Sequence, residues 1–244
     1  MGPLYVQNYE ITDMVVDRYG RLKPSMILFL AQEVAGKHCT QLSVDYDTLE
    51  KSRMFWAVTR HRVQISRMPH RGETIRIETW PMPTTRVAYP RSVVAYDEAG
   101  HECFRVISIW VLMHMDTRAM ILPAKSGISV VGSLRGGELA VPGGLVAKEL
   151  IHHRSRTVCY TDLDRNGHMN NTRYLDWIDD LLPSVFHEKH TAREFVVCYQ
   201  SEAREGQLLD LCWDFLEEGT MRLDANRVEE DKTERIFSAK ILFD

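Results

Sequence analysis

Two hydrophobic periods alternate along this chain. From Pro24 to Gly36 the apolar side chains Met26, Leu30 and Val34 recur at a helical interval, with proline near the start and glycine at the end, which predicts one buried helix. A period of two then takes over in Phe55–Ile65, Glu73–Trp80, Val87–Tyr96 and Phe104–Met115, where apolar and polar positions alternate as in half-buried strands. The turn signals Pro69–Gly72, Asp97–Gly100 and Asp116–Arg118 separate these runs at hairpin spacing, so the sheet should be mainly antiparallel. A glycine-rich stretch, Pro123–Gly144, interrupts the pattern. After it the same order returns: a strand at Arg154–Thr161, a helix at Asn170–Leu182 stopped by Pro183, and strands at Glu194–Tyr199, Gln207–Leu216, Met221–Val228 and Ile236–Phe243.

Shifting the chain by 147 positions lays Asp17-Arg18-Tyr19-Gly20 on Asp164-Arg165-Asn166-Gly167 and Leu28 on Leu175. The matching order of elements and this register predict two copies of one α+β unit, residues 1–122 and 148–244, joined by a linker at 123–147 and arranged as an internal pseudo-dimer. The 244 residues, 44% apolar and 26% charged, suit a globular protein and exclude a disordered chain or a disulfide scaffold. A formal charge of −4 provides no chain-wide basic field for nucleic acid or an anionic membrane. No apolar run nears the ~20 residues of a membrane span, and the first residues lack a basic region followed by an apolar one. Five scattered cysteines without a Cys-x-x-Cys pair fit reduced thiols, and the expected location is cytoplasmic.

The densest chemistry lies at Thr161–Tyr174, where Asp162, Asp164, Asn166, His168, Asn170 and Asn171 precede the second predicted helix. Alternate residues of an extended loop project to one side, and a helix start offers backbone N–H groups and the positive end of its dipole. That combination suits a developing oxyanion. The plainer explanation is that Asn170, Asn171 or Thr172 caps the helix while Gly167 makes a turn. A cap needs one side chain, however, and this loop supplies six.

The run Asp162-Leu-Asp164-Arg-Asn166-Gly-His168-Met-Asn170-Asn171-Thr-Arg-Tyr174 resembles the signature of the acyl-acyl carrier protein thioesterases; plain hotdog thioesterases share its looser part. The resemblance extends through Trp56, the first helix, Trp110–Pro123 and Tyr199–Ala203. It implies two tandem hotdog units, each a long helix wrapped by an antiparallel sheet. It also implies hydrolysis of the fatty acyl thioester on acyl carrier protein, releasing free fatty acid and ending or diverting fatty acid synthesis. By the same resemblance the catalytic residues are Asp164, Asn166, His168 and Glu202. Many plant members place a cysteine directly after that glutamate, whereas this chain has Ala203, which favours attack by water. Cys198 reads as a packing residue.

In this mechanism Glu202, on a strand facing the loop, is the general base, with His168 orienting the water or sharing its proton. Asn166 and N–H groups at the helix start hold the carbonyl oxygen, and Asp164 fixes Asn166 or His168; either carboxylate remains open as the base. Asn170 and Asn171 are expected to contact substrate. The first copy has Tyr19 and Arg21 at the positions of Asn166 and His168, and Met68 near that of Glu202. It should therefore be catalytically silent and bind the acyl chain through Met26, Leu30, Met54, Phe55 and Trp56, residues that equally suit an ordinary core. The expected partner is an acyl carrier protein bearing a phosphopantetheine-linked acyl chain. An acidic carrier would call for a basic patch, with Arg60, Arg62, Arg67, Arg71, Arg86 and Arg91 as candidates. The protein should be a monomer or homodimer.

No phosphate-binding glycine loop has a strand-then-helix setting, and the adjacent His152 and His153 face opposite ways on a strand, so neither a nucleotide cofactor nor a metal is expected. Two rival functions remain: a hotdog acyl-CoA thioesterase, which would read a free nucleotide tail, and a non-catalytic acyl-binding protein, which need not keep a base beside a polar loop.

Overall fold

A computed structural model describes residues 4–217, 219–229 and 232–244; residues 1–3, part of the chain start read above, lie outside the described residues. The chain divides into two compact units, Met1–Pro142 and Gly143–Asp244. In the first, β1 (Tyr5–Glu10) and a single 3₁₀ turn (Asp13–Val15) precede α1 (Pro24–Gln41) and α2 (Tyr46–Glu50). The strands β2 (Met54–Ile65), β3 (Thr74–Pro81), β4 (Tyr89–Tyr96), β5 (Glu102–His114) and β6 (Met120–Ile121) follow, and then the one-turn α3 (Pro123–Ser126). The second unit has β7 (His152–Thr157), a 3₁₀ turn (Tyr160–Asp162), α4 (Arg173–Asp179) and α5 (Ser184–Lys189). It closes with β8 (Ala192–Tyr199), β9 (Leu208–Glu217), β10 (Thr220–Glu229) and β11 (Lys232–Phe243).

Within the first unit the strands lie in the order β1-β3-β4-β5-β2, with β6 beside β5; within the second the order is β7-β9-β10-β11-β8. Both are the same arrangement, first-third-fourth-fifth-second, and every pairing is antiparallel. Helix α1 packs against β1 and β3, burying Ile27, Leu28, Leu30, Ala31, Val34 and Ala35 on one side. It runs five residues beyond Gly36 because His38, only 1% exposed, continues the buried stripe. The left-handed residue that follows its end is Ser43 (φ 56°).

The second helix is shorter than its apolar pattern predicts: Arg173–Asp179 replaces Asn170–Leu182. At its start the Asn170 side-chain oxygen accepts from the Thr172 N–H and hydroxyl, both at 3.0 Å, and holds a turn instead of a helical residue. At its end Leu181 and Leu182 donate to Ile178 and Asp179, three residues back, and Pro183 prevents continuation. Tyr174, Leu175, Trp177 and Ile178 still bury the helix, with the Tyr174 ring stacked on Phe237 at 4.5 Å. Strand β1 carried no distinct sequence signal beyond six alternating positions. Among the described residues no helix is long and apolar enough to cross a membrane.

Candidate active site

The polar loop of the second unit is built by one carboxylate. Asp164 Oδ1 accepts the backbone N–H of Asn166 at 2.8 Å and of His168 at 3.2 Å, while its own N–H donates to the His168 carbonyl at 2.8 Å. Gly167 closes the turn at φ 75°, a conformation that costs glycine little. The first unit repeats this bond for bond: Asp17 Oδ1 accepts from Tyr19 at 2.8 Å and from Arg21 at 3.0 Å, and its N–H donates to the Arg21 carbonyl at 2.8 Å. Gly20 sits at φ 76°. Asp164 thus performs an architectural task, since Asp17 performs the same one where Tyr19 and Arg21 stand at the positions of Asn166 and His168.

Glu202 lies in the connection between β8 and β9, past the end of the strand on which it was expected. Backbone bonds fasten that connection to the loop: Met169 N–H donates to the Ala203 carbonyl at 2.8 Å, and His168 bridges Arg204. The register brings His168 Nε2 to 3.0 Å from Glu202 Oε2, with the imidazole 12% and the carboxylate 39% exposed. The acid is therefore reachable from solvent while the ring that meets it is largely sheltered. Arg204 places a guanidinium nitrogen 3.9 Å from the same oxygen. In the first unit Arg21 bridges His70 and Leu22 N–H donates to the Pro69 carbonyl, so Met68, 8% exposed, occupies the place of Glu202. Arg21 itself turns back to Asp17, with Nε 2.9 Å from Oδ2.

The other loop residues separate. Asn166 is exposed, its Nδ2 3.5 Å from Asp164 Oδ2. Asp162, 4% exposed, is a structural brace that accepts from Cys159 N–H at 3.0 Å and from the Trp177 indole at 3.3 Å. Asn170 is occupied by the turn described above, and the Asn171 carbonyl accepts the Tyr199 hydroxyl at 3.0 Å. The first helical N–H groups are also committed: Thr172 donates to Asn170 Oδ1 and Arg173 to the Asn170 carbonyl, both at 3.0 Å. The expected backbone oxyanion site at this helix start is therefore replaced by internal bonds, and Asn166 is left as the exposed amide at the loop tip.

In the first unit a cavity of about 220 Å³ is lined by Trp56, Tyr89 and Trp110, by Pro81 and Val130, and by Gln32, Ala35, Gly36 and Cys39 of α1. Of the five residues expected to meet an acyl chain, only Trp56 lines it, held by an indole bond to the Val44 carbonyl at 2.8 Å and set edge-on to Tyr89. Leu30 is core at 1% exposure, Met54 packs with Leu49, Tyr89 and Leu112, Phe55 lies under the Arg118 guanidinium, and Met26 stays outside the lining. The cavity draws on six elements, α1, α2, β2, β3, β4 and β5, with no common periodicity, so no sequence pattern marks it. Three of the arginines anticipated as a basic patch have side-chain partners. Arg91 is 6% exposed and bonds His38 Nδ1 at 3.0 Å, Arg67 pairs with Glu73 at 2.8 Å, and Arg71 pairs with Asp13 at 2.5 Å.

The family model for the acyl-ACP thioesterase N-terminal domain matches residues 2–123, and that for the C-terminal domain matches residues 147–243. The chain belongs to the acyl-ACP thioesterase family. Its two units are hotdog units, as in the solved acyl-ACP thioesterase from Bacteroides thetaiotaomicron (22% identity, TM-score 0.87, covering 99% of this chain and 98% of that one). The 12:0-ACP thioesterase from Umbellularia californica shares the fold at 20% identity and TM-score 0.84, covering 99% and 97%. Among curated relatives, the palmitoyl-acyl carrier protein thioesterase of Gossypium hirsutum is 24% identical over 85% of this chain and 54% of its own length. The oleoyl-acyl carrier protein thioesterase 1 of Arabidopsis thaliana is 23% identical over 86% and 63%. The chain spans little more than half the length of most of these plant relatives. Beside Glu202 this chain has a buried methyl, Ala203 at 1% exposure, and Cys198 is packed in β8 with its sulfur 3.9 Å from the Gly143 carbonyl.

Proposed function

We propose that this chain hydrolyses fatty acyl thioesters carried on acyl carrier protein, with the chemistry in the second unit. The observation that supports it most is the 3.0 Å contact of His168 with Glu202 beside the Asp164 loop, set against Arg21 and Met68 at the same places in the first unit. Glu202 takes a proton from water as its oxygen attacks the thioester carbon, and His168 holds that carboxylate in place. The carbonyl oxygen gains charge and is met by the Asn166 amide. As the carbon–sulfur bond breaks, the proton held by the Glu202–His168 pair passes to the departing pantetheine sulfur, leaving free acid and thiol. Asp164 positions the loop and is not the base, because its Oδ1 accepts two backbone hydrogens as Asp17 does. The cavity of the first unit takes the acyl chain, its aromatic and aliphatic walls matching a hydrocarbon.

The test is release of free thiol from acyl-carrier substrates. Glu202→Gln is expected to lower turnover by about 10²–10⁴-fold, the usual worth of a positioned base. Asn166→Ala should cost about 3 kcal/mol of transition-state stabilisation, roughly a hundredfold or more. Cys198→Ala should retain turnover. A dead Cys198→Ala variant with an unchanged melting temperature would overturn attack by water, and equal rates on short acyl-CoA and on carrier-bound chains would overturn the carrier as preferred substrate.

A further inference from the structure

The register of β7 against β9 sets His153 directly opposite Cys212. Side chains two apart on a strand share a face, so Asp210 stands on the same side as Cys212. Their donor atoms converge. His153 Nδ1 lies 2.9 Å from Asp210 Oδ2 and 3.4 Å from Cys212 Sγ, and that sulfur lies 3.3 Å from the same carboxylate oxygen. Asn226, opposite Asp210 on β10, brings its side-chain amide to 3.4 Å from the sulfur. The cluster holds none of the residues of the Asp164 loop.

A Cys–His–Asp relay for nucleophilic catalysis would need the thiol and the carboxylate on different ring nitrogens. Here both meet Nδ1, so the three groups point at one another's centre, which is what coordination to an ion requires. Ligand atoms on a tetrahedral zinc ion, at bond lengths of about 2.0–2.3 Å, stand about 3.3–3.6 Å apart. The observed triangle reaches that size by opening a few tenths of an ångström along its His–Asp edge. With side-chain exposures of 56% for His153 and 30% for Asp210, the site is open to solvent, and water can complete the shell.

We propose that His153, Asp210 and Cys212 form a binding site for a single divalent ion of the zinc class. A set of imidazole, thiolate and carboxylate selects zinc or cobalt over magnesium and calcium, which take all-oxygen shells. The thiol proton leaves to solvent on binding, and the two anionic ligands then balance the charge of the ion. Asn226 acts as the outer contact on the sulfur. The ion ties β7, at the end of the strand order of the second unit, to β9.

The experiment uses the full chain, stripped with a chelator and titrated with Co²⁺, then with Zn²⁺ by calorimetry and displacement. The expected result is one ion per chain, with the charge-transfer band of a cobalt thiolate and the strong visible bands of a tetrahedral site. His153→Ala, at an exposed position, should weaken Zn²⁺ binding by at least tenfold, and Cys212→Ser should abolish the charge-transfer band. His152→Ala should leave both unchanged, since His152 stacks on Trp213. Absence of the charge-transfer band in the parent chain would overturn the site. So would Zn²⁺ affinity that survives His153→Ala or that is lost in His152→Ala. Should Cys212→Ser fail to fold, the histidine pair decides the question alone.

Discussion

Asp17 and Asp164 organise the same five-residue turn, so matched substitutions separate architecture from reactivity. Replacing Asp17 with alanine leaves two backbone N–H groups without their acceptor, a loss on the order of 1–3 kcal/mol, and is expected to lower the melting temperature with kcat unchanged. Asp164→Ala should lower the melting temperature similarly and also reduce kcat by tenfold or more, because it frees the backbone that carries Asn166 and His168; thermal denaturation and steady-state hydrolysis check the two parts. At this scale the sequence offered candidate residues but not how they were already bonded. Asn170 and Asp162 look as promising as His168 in a row of letters. Their oxygens are committed to Thr172 and to Cys159 and Trp177, contacts that exist only once the loop has turned.

At the scale of elements, α1 and β2 each bury a histidine. Burial and the neighbouring Arg91 guanidinium push His38 down to about 4, and burial pushes His61 down to about 3. Both are neutral in the folded protein, while the unfolded chain protonates them near 6.5. Below that value the unfolded state binds more protons, so stability must fall as pH drops from about 6.5 through the two folded values. For His38 the loss amounts to up to about 3 kcal/mol. Melting temperature measured across this range should decline with falling pH, and His38→Gln, which keeps an acceptor for Arg91, should flatten part of the decline. A second prediction concerns the cavity wall. Gly36 faces it, and a Cβ there meets nothing within 4 Å, so Gly36→Leu is expected to fill space and shift hydrolysis toward shorter acyl chains in a graded-length assay. The helical and alternating periods located α1 and most strands, because burial on one face imposes them. They overran α4, since its start is set by the Asn170 side-chain turn and its last residues tighten into three-residue bonds before Pro183, neither of which the apolar stripe records.

For the molecule as a whole, the repeat was visible in sequence only at its first half. The turn, the aspartate loop and the helix start follow a shift of 147, as in Asp17 with Asp164, but Gly72 and Gly206, whose N–H groups donate to Ile11 and Val158, correspond at 134. The difference, 147 − 134 = 13 residues, falls between the loop and the connection bearing Glu202, where the first unit has an eighteen-residue α1 and the second a seven-residue α4. A comparison at one fixed shift loses register there. Backbone hydrogen bonding recovers it, and with it the placing of Met68 at the position of Glu202. The expected outcome is one reactive site per chain. A non-hydrolysable acyl-pantetheine thioether should saturate at a single equivalent, and Met68→Glu should not rescue Glu202→Gln while Arg21 remains paired with Asp17.

That thirteen-residue difference also says where this architecture tolerates extra chain. The two halves keep the same strand order and the same loop bonds although an eighteen-residue α1 stands where the second has the seven-residue α4, and a twelve-residue β2 where it has the eight-residue β8. Lengthening α4 itself by about three turns therefore has a natural precedent in the first half, and should leave both the sheet order and the His168–Glu202 contact undisturbed.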